Sequence, residues 1–440
     1  MKKRLLATLL SSTLVMTTLA GCSSKSGSSD MVTELTEPIT IEMWHYMNGG
    51  QADALNSIIE DFNATNDKGI TVNAISQGSI VDLNKKVISA AQSNSLPAII
   101  NVYPDIATGL IEDKKLVNLS SFINDKNVGM ADEMDDFVDS FIQETSQWNN
   151  GEVYGLPMTK STEVLYVNKN MLESLGYTLE DLEGLTFEKL AEISNKAVTE
   201  LGVAGFGFDS SSNAFISSLK MNGLDFVDSK GTINVDNEWV REYMTFFQKQ
   251  AESGAFRIAG EDKFLSNPFV NQKMLCYQGS SAGYAYLNNG GAFEIAVVEV
   301  PVFEGKDKAV IQQGASLFVT NNVSAEAQYA AYEFVKFATN AENTAKFATA
   351  TGYLPVRKSA VETEIVKNIL NDETSLYSQV YNVAQKSLPY SYYTPAINNA
   401  QSARTVAQEK YEAFMSGSIK DVEVLVDDIV SQVQTSIGRN

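Results

Sequence analysis

The chain alternates short β-rich runs with stretches whose apolar residues recur every three to four positions. Ile39-Thr40-Ile41-Glu42-Met43-Trp44 places apolar side chains at alternate positions and predicts a strand. Across 52–66, Leu55, Ile58, Ile59 and Phe62 fall on one face of a helix. A second strand is expected over 70–75, a helix over 83–91 and a third strand within 97–103. Strand, helix, strand, helix, strand is the pattern of a parallel sheet with crossover helices. In such sheets ligands bind beyond the carboxyl ends of the strands, where Trp44-His45-Tyr46, Gln77-Gly78 and Tyr103-Pro104-Asp105 fall.

The same alternation continues to the end of the chain. Strands are expected over 163–167, 205–208, 274–277, 293–300 and 315–319, and helices over 171–175, 187–201 and 239–252. Further helices follow over 325–339, 343–349, 361–370, 402–415 and 422–435. No internal repeat interrupts the series.

The first residues follow another logic. Met1-Lys2-Lys3-Arg4, an apolar run over 5–19 and Leu19-Ala20-Gly21-Cys22 have the layout of a secretory signal peptide over 1–21. The apolar run falls short of the ~20 residues that span a bilayer. Leu-Ala-Gly-Cys resembles the bacterial lipobox, which implies a lipid on Cys22 and an anchor to the outer face of the cytoplasmic membrane. Residues 22–36 are too poor in large apolar groups to pack and read as a flexible tether. With Cys22 acylated, Cys276 has no partner for an internal disulfide.

A body of about 400 residues exceeds the size at which one core stops growing, so two lobes are expected. Without Lys2, Lys3 and Arg4, 30 basic residues face 54 acidic ones, a net charge of −24. Such a surface excludes nucleic acid and anionic membrane faces as partners and supplies a solubilising shell. His45 is the sole histidine, and no His-Glu-x-x-His, Cys-x-x-Cys or Gly-x-Ser-x-Gly pattern occurs. The acidic run 132–136 lacks the spacing of a calcium loop. Neither a metal nor another cofactor is expected, and a glycan hydrolase working through two carboxylates is the contrasting enzymatic reading.

Local motifs in order along 41–415 carry a resemblance. Glu42-Met-Trp-His45, Ser95-Leu-Pro-Ala-Ile-Ile-Asn-Val102, Gly155-Leu-Pro157, Leu165-Tyr-Val-Asn-Lys169, Gln313-Gly-Ala-Ser-Leu-Phe318 and Thr351-Gly-Tyr-Leu-Pro355 resemble the family 1 extracellular solute-binding proteins of ABC importers, which include the maltose-binding type. The resemblance implies a type II periplasmic-binding-protein-like α/β fold. One lobe would comprise 37–160 with 316–356, the other 161–315 with 357–440, and a ligand would be enclosed between them by hinge closure. It further implies a monomer that delivers its ligand to the transmembrane subunits of a permease and performs no catalysis.

Within the family, Trp44-His45, Val102-Tyr103, Ser280-Ser281, Gly314-Ala315-Ser316 and Thr351-Gly352-Tyr353 resemble the glycerol-3-phosphate-binding group. That group's tyrosine, acid and phosphate-binding arginine fall here at Ile80, Pro104 and about Ala396. These departures imply a neutral carbohydrate, mono- or oligosaccharide, with glycerol-3-phosphate or a glycerophosphodiester as the alternative. Arg257, Arg357 and Arg404 remain as possible anion partners. Sugars are held by aromatic faces and by fixed polar groups around their hydroxyls. The expected contacts are therefore Trp44, Tyr103, Tyr353 and Tyr393 as aromatics, with His45, Asp105, Ser161, Ser280, Ser281 and Ser316 as polar partners. Gly314 would let backbone approach the ligand.

Overall fold

Strand β1 (Ile39–His45) runs parallel to β2 (Ile70–Ser76), from Ile39 opposite Ile70 to His45 opposite Ser76, and parallel to β3 (Ile99–Val102) on its other side. The connecting helix Gly50–Thr65 buries Leu55, Ile58, Ile59 and Phe62, the residues its periodicity selects. Helix Ile80–Gln92 starts in a capping box between Ser79 and Asp82, which satisfies amides the helix itself leaves open. These relations come from a computed structural model that describes residues 31–438. Two later strands, β4 (Gly155–Ser161) and β11 (Gln313–Val319), complete the sheet in the order β2-β1-β3-β11-β4, with β11 antiparallel to both neighbours.

A second sheet has the order β7-β6-β8-β5-β9. It is built from β5 (Glu163–Asn168), β6 (Phe206–Phe208), β7 (Phe256–Ile258), β8 (Cys276–Ser280) and β9 (Ile295–Val298). Its core is a phenylalanine cluster in which Phe187 lies 4.5 Å from Phe303 and 5.3 Å from Phe247. Each such side chain contributes about 1.5–3 kcal/mol by leaving water. A separate core under the first sheet joins Met43, Leu55, Phe122, Tyr332 and Phe334. Two sheets with two cores make the protein two-lobed, as two α/β layers each require their own apolar interior.

The chain passes from one sheet to the other through Thr162, between β4 and β5, and through Gln312, between β10 (Val310–Ile311) and β11. Strand β10 pairs in parallel with β12 (Ser391–Tyr392), which holds the segment leading to helix Ala400–Met415 beside the crossing. Helix Leu376–Ser387 touches both lobes: Tyr377, Tyr381 and Ala384 join the first core, while Val380 and Val383 pack with Val164 and Tyr166 of β5.

Three elements differ from the sequence expectation. The helix expected over 361–370 breaks at Thr363, whose hydroxyl accepts from the Val366 amide and starts a new helix, Glu364–Leu370. Helix Pro104–Glu112 opens on a proline, which suits a first helical turn. Helix Ser211–Lys220 buries nine of its residues, among them four serines that read as loop in isolation.

Candidate ligand-binding cleft

The geometry of the crossing is set by Gly314. Its φ of +122° lies where side chains are excluded, and a Cβ there would stand 1.7 Å from the Thr159 carbonyl oxygen. Close approach lets the fully buried Lys160 ammonium donate to the Gly314 carbonyl at 3.1 Å and to Glu144 Oε2 at 2.5 Å. Gln312 adds a second donor to the same carboxylate oxygen at 3.2 Å and donates to the Ser140 carbonyl at 2.9 Å. Its backbone amide donates to the Tyr392 carbonyl at 2.8 Å. The crossing is therefore tied to the first lobe by charge-assisted bonds, which are about twice as strong as neutral ones, and to the second by a neutral backbone bond.

A cavity of about 140 Å³ opens beside this crossing. Tyr103, Asp105 and Glu144 line it from the first lobe, Gln312, Gln313 and Gly314 from the crossing, and Ser212, Thr394, Gln401 and Arg404 from the second lobe. Burial raises the pKa of Asp105, opposed by the positive Arg404 nearby, and burial raises that of Glu144, opposed by Lys160. Burial also raises the Tyr103 phenol, so it remains a neutral donor and acceptor. Arg404 donates to Asn213 Oδ1 at 2.5 Å and to Ser212 Oγ at 3.4 Å, and it forms no ion pair among the described residues. Asn213 in turn donates to Glu163 at 2.7 Å and to Gln313 at 2.9 Å, so the guanidinium is positioned by a neutral amide backed by a buried carboxylate. Three buried acids, Asp105, Glu144 and Glu163, thus lie around two bases, Arg404 and Lys160.

Residues 57–371 match the family described as bacterial extracellular solute-binding protein. The chain belongs to that family. The sn-glycerol-3-phosphate-binding periplasmic protein of Rhizobium meliloti is 23% identical to this solute-binding protein over 414 residues, 90% of this chain and 94% of that one. Its counterpart in Escherichia coli is 23% identical over 392 residues, covering 86% and 88%. Among solved structures, UgpB from Mycobacterium tuberculosis in complex with glycerophosphocholine has a TM-score of 0.78 at 21% identity, covering 92% of this chain and 99% of that chain. A Listeria monocytogenes ABC substrate-binding protein in complex with cycloalternan has a TM-score of 0.78 at 15% identity, covering 92% and 100%. These likenesses carry the two-lobed fold, and the family consists of binding proteins, not enzymes.

Of the contacts expected in this solute-binding protein, Tyr103, Asp105 and Gly314 line the cavity. Tyr353 lies one layer away: its hydroxyl is 3.4 Å from that of Tyr46, whose ring meets Tyr103 edge-on at 6.4 Å, and its own ring stacks on Phe347. Tyr393 is half-buried within electrostatic reach of Glu144. Trp44 is not brought to the cavity. It packs with Leu83, Val87 and Ile100, donates to Glu42 and lies under the Lys86 ammonium at 4.2 Å, along a separate groove on helix Ile80–Gln92. His45 is buried, accepts from the Met47 amide at 3.1 Å through Nδ1, and has its pKa lowered by burial, the surroundings of a neutral structural histidine.

The four expected serines do not line the cavity, and of them Ser281 braces the crossing. Ser281 Oγ accepts from the Thr162 amide at 3.3 Å, and Ser280 Oγ caps Ala282 at 3.2 Å. Ser161 and Ser316 are buried in β4 and β11, and Ser316 Oγ has no partner among the described residues. Cys22 lies outside the described residues. Of the three arginines, Arg257 pairs with Asp262 and Arg357 is buried against Phe137 and Glu133, so Arg404 is the one that lines the cavity. Glu144, Gln312, Ser212, Thr394 and Gln401 carry no sequence motif and become visible once the crossing is folded, while Gln313 belongs to a motif but is not among the expected contacts.

Proposed function

We propose that this protein is an exported lipoprotein, anchored through Cys22, that captures a carbohydrate between its lobes as a monomer and delivers it to the permease subunits of an ABC importer. The observation that carries the reading is the mixed polar wall of the cavity. Arg404 donates, Glu144 accepts, Asp105 accepts when ionised, and Tyr103 does both, which matches hydroxyls that each donate and accept. With two acids and one base on the wall, an anionic guest is disfavoured. Tyr103, Asp105 and Gly314 are its first contacts in this reading, with Tyr353 and Tyr393 supporting the wall. The lobe boundaries after residues 160, 315 and 356 belong to the same proposal.

A second reading, a glycerol-3-phosphate or glycerophosphodiester receptor, is favoured by the Arg404 guanidinium, which pairs with no carboxylate among the described residues, and by the names of the relatives. Thermal-shift screening of the mature protein against sugars and glycerophosphates separates the two. A ligand held at a hundredfold over its Kd adds ~2.7 kcal/mol of stability. Stabilisation by phosphorylated compounds alone would rule out the carbohydrate reading.

A further inference from the structure

Neighbouring residues of one short segment are rooted in different lobes. Between β12 and helix Ala400–Met415, Ala396 packs on the first-sheet core that contains Ile100, Ala107 and Leu110, while Ile397 packs on the second-sheet core that contains Phe215 and Ala403. The polar contacts of the segment also reach the first lobe. The Ala396 amide donates to Gln147 Oε1 at 2.7 Å. Gln147 Nε2 already donates to the Glu144 carbonyl at 2.9 Å, which fixes the side-chain amide and turns its oxygen toward the segment. Asn398 Nδ2 donates to Glu112 Oε2, and Asn398 Oδ1 lies 3.4 Å from where a Cβ on Gly109 would stand, so this side chain rests along helix Pro104–Glu112. Thr394, just before these bonds, lines the cavity; Asn399, at φ +60°, turns the chain after them into the helix that carries Gln401 and Arg404. On the facing lobe, helix Pro104–Glu112 holds Asp105 at its cavity end and Glu112 at the other. Asp105 and Arg404 are within electrostatic reach of each other. One pair of elements therefore makes the bonds and sets the width of the cavity.

We propose that residues 394–398 form a clasp in which Gln147 and Glu112 grip Ala396 and Asn398, and so hold Gln401 and Arg404 at a set distance from Asp105 across the cavity. Its consequence for binding rests on the reading of this cavity as the ligand site. Gln147, Glu112 and Asn398 are positioning residues, since none of them lines the cavity. Parting the lobes at this point breaks both bonds and draws Ala396 off the first-sheet core, so the clasp biases the hinge toward the closed arrangement. Affinity scales with the fraction of molecules in the binding-competent arrangement, whatever the ligand.

The test places spin labels through Val81→Cys on the first lobe and Phe264→Cys on the second, both exposed positions, in the Cys22→Ser protein, whose remaining cysteine is buried. Pulsed dipolar spectroscopy of the protein alone should give the separation of the structure, and Gln147→Ala combined with Asn398→Ala should lengthen it. Glu112 and Asn398 are exposed and Gln147 is half-buried, so these substitutions leave both cores intact. Calorimetry with glucose, maltose and sn-glycerol-3-phosphate should show each probe that binds weakened at least fivefold by the paired substitutions, and by similar factors. Glu112→Ala should weaken binding too, whereas Glu112→Gln, which keeps an oxygen for Asn398, should stay within twofold of the parent. A parent already at the longer separation, a paired variant that keeps the parent's separation, or a loss confined to one of several bound probes overturns the clasp without touching the ligand-site reading. Binding of no probe counts against that reading, and the separations alone then decide the clasp.

Discussion

Replacing Gly314 by alanine should be among the most damaging single-methyl additions to this protein. At φ +122° an L side chain is strained, at a cost of about 1–3 kcal/mol. The new Cβ would sit 1.7 Å from the Thr159 oxygen, where contacts below 3.0 Å do not persist, so β4 and β11 must part by more than about 1 Å. That movement opens the ladder at Gly314 opposite Lys160 and Ala315 opposite Thr159. It also removes the 3.0 Å bond from the Ala315 amide to Thr159 Oγ1 and the 3.1 Å bond from Lys160 to the Gly314 carbonyl. At about 1 kcal/mol for each bond lost, two or three losses bring the total to roughly 3–6 kcal/mol. Urea unfolding followed by circular dichroism would read this as a fall in midpoint of about 1–2 M for a slope near ~3 kcal/mol/M. Gly305→Ala is the control, since Gly305 has φ +71° with no atom within 4 Å of the added methyl, and it should cost only about 1 kcal/mol. If the two variants unfold at the same urea concentration, the account of a sterically locked crossing is wrong.

Three further outcomes concern Asp209, which follows β6 and accepts from the Leu265 amide, Arg404 in the cavity wall, and Cys22. Burial pushes Asp209 up to about 6, so the folded protein binds this proton more tightly than the unfolded chain, and the resulting stability is present at pH 4 and lost as pH rises through 6. About two pH units at 1.36 kcal/mol each is roughly 3 kcal/mol, so Asp209→Asn should gain about that much relative to wild type between pH 4 and pH 7; parallel pH–stability curves would refute it. Arg404→Met should lower sugar affinity by about 1.5–3 kcal/mol, the worth of one bond to a charged donor, whereas a phosphorylated ligand held by this guanidinium should lose more. Cys22→Ser should abolish labelled palmitate incorporation and move the protein from the membrane to the soluble fraction, and unchanged partitioning would remove the anchor from the account.

Periodicity alone locates most of the scaffold. The helix expected over 187–201 is present as Phe187–Leu201, and the one expected over 52–66 appears as Gly50–Thr65. Burial of one face imposes the 3.6-residue rhythm that makes such helices legible. Strand β4 is harder to read, because it closes one edge of the sheet yet all seven of its residues are buried, and beside Pro157, which an edge tolerates, it carries Lys160, a charge seldom buried. Lys160 is tolerated there through Glu144, a partner 16 positions earlier that no local pattern reveals. The cavity shows the same division. Tyr103 and Asp105 are legible because parallel strands place function at their carboxyl ends, whereas Arg404 and Gln312 reach the site through the β10–β12 pairing, a contact between distant segments. Trp44 also ends β1, but its side chain points to the face covered by helix Ile80–Gln92, a choice of side that strand position does not fix.

The central claim is that a hydroxyl-rich ligand binds at the crossing between the lobes. A crystal structure of the mature protein with the sugar that stabilises it most strongly tests this directly. The account predicts density between Asp105 and Arg404, with hydroxyls against Glu144 and Tyr103. Density in the groove beside Trp44 and Lys86, with water alone between the lobes, would contradict it.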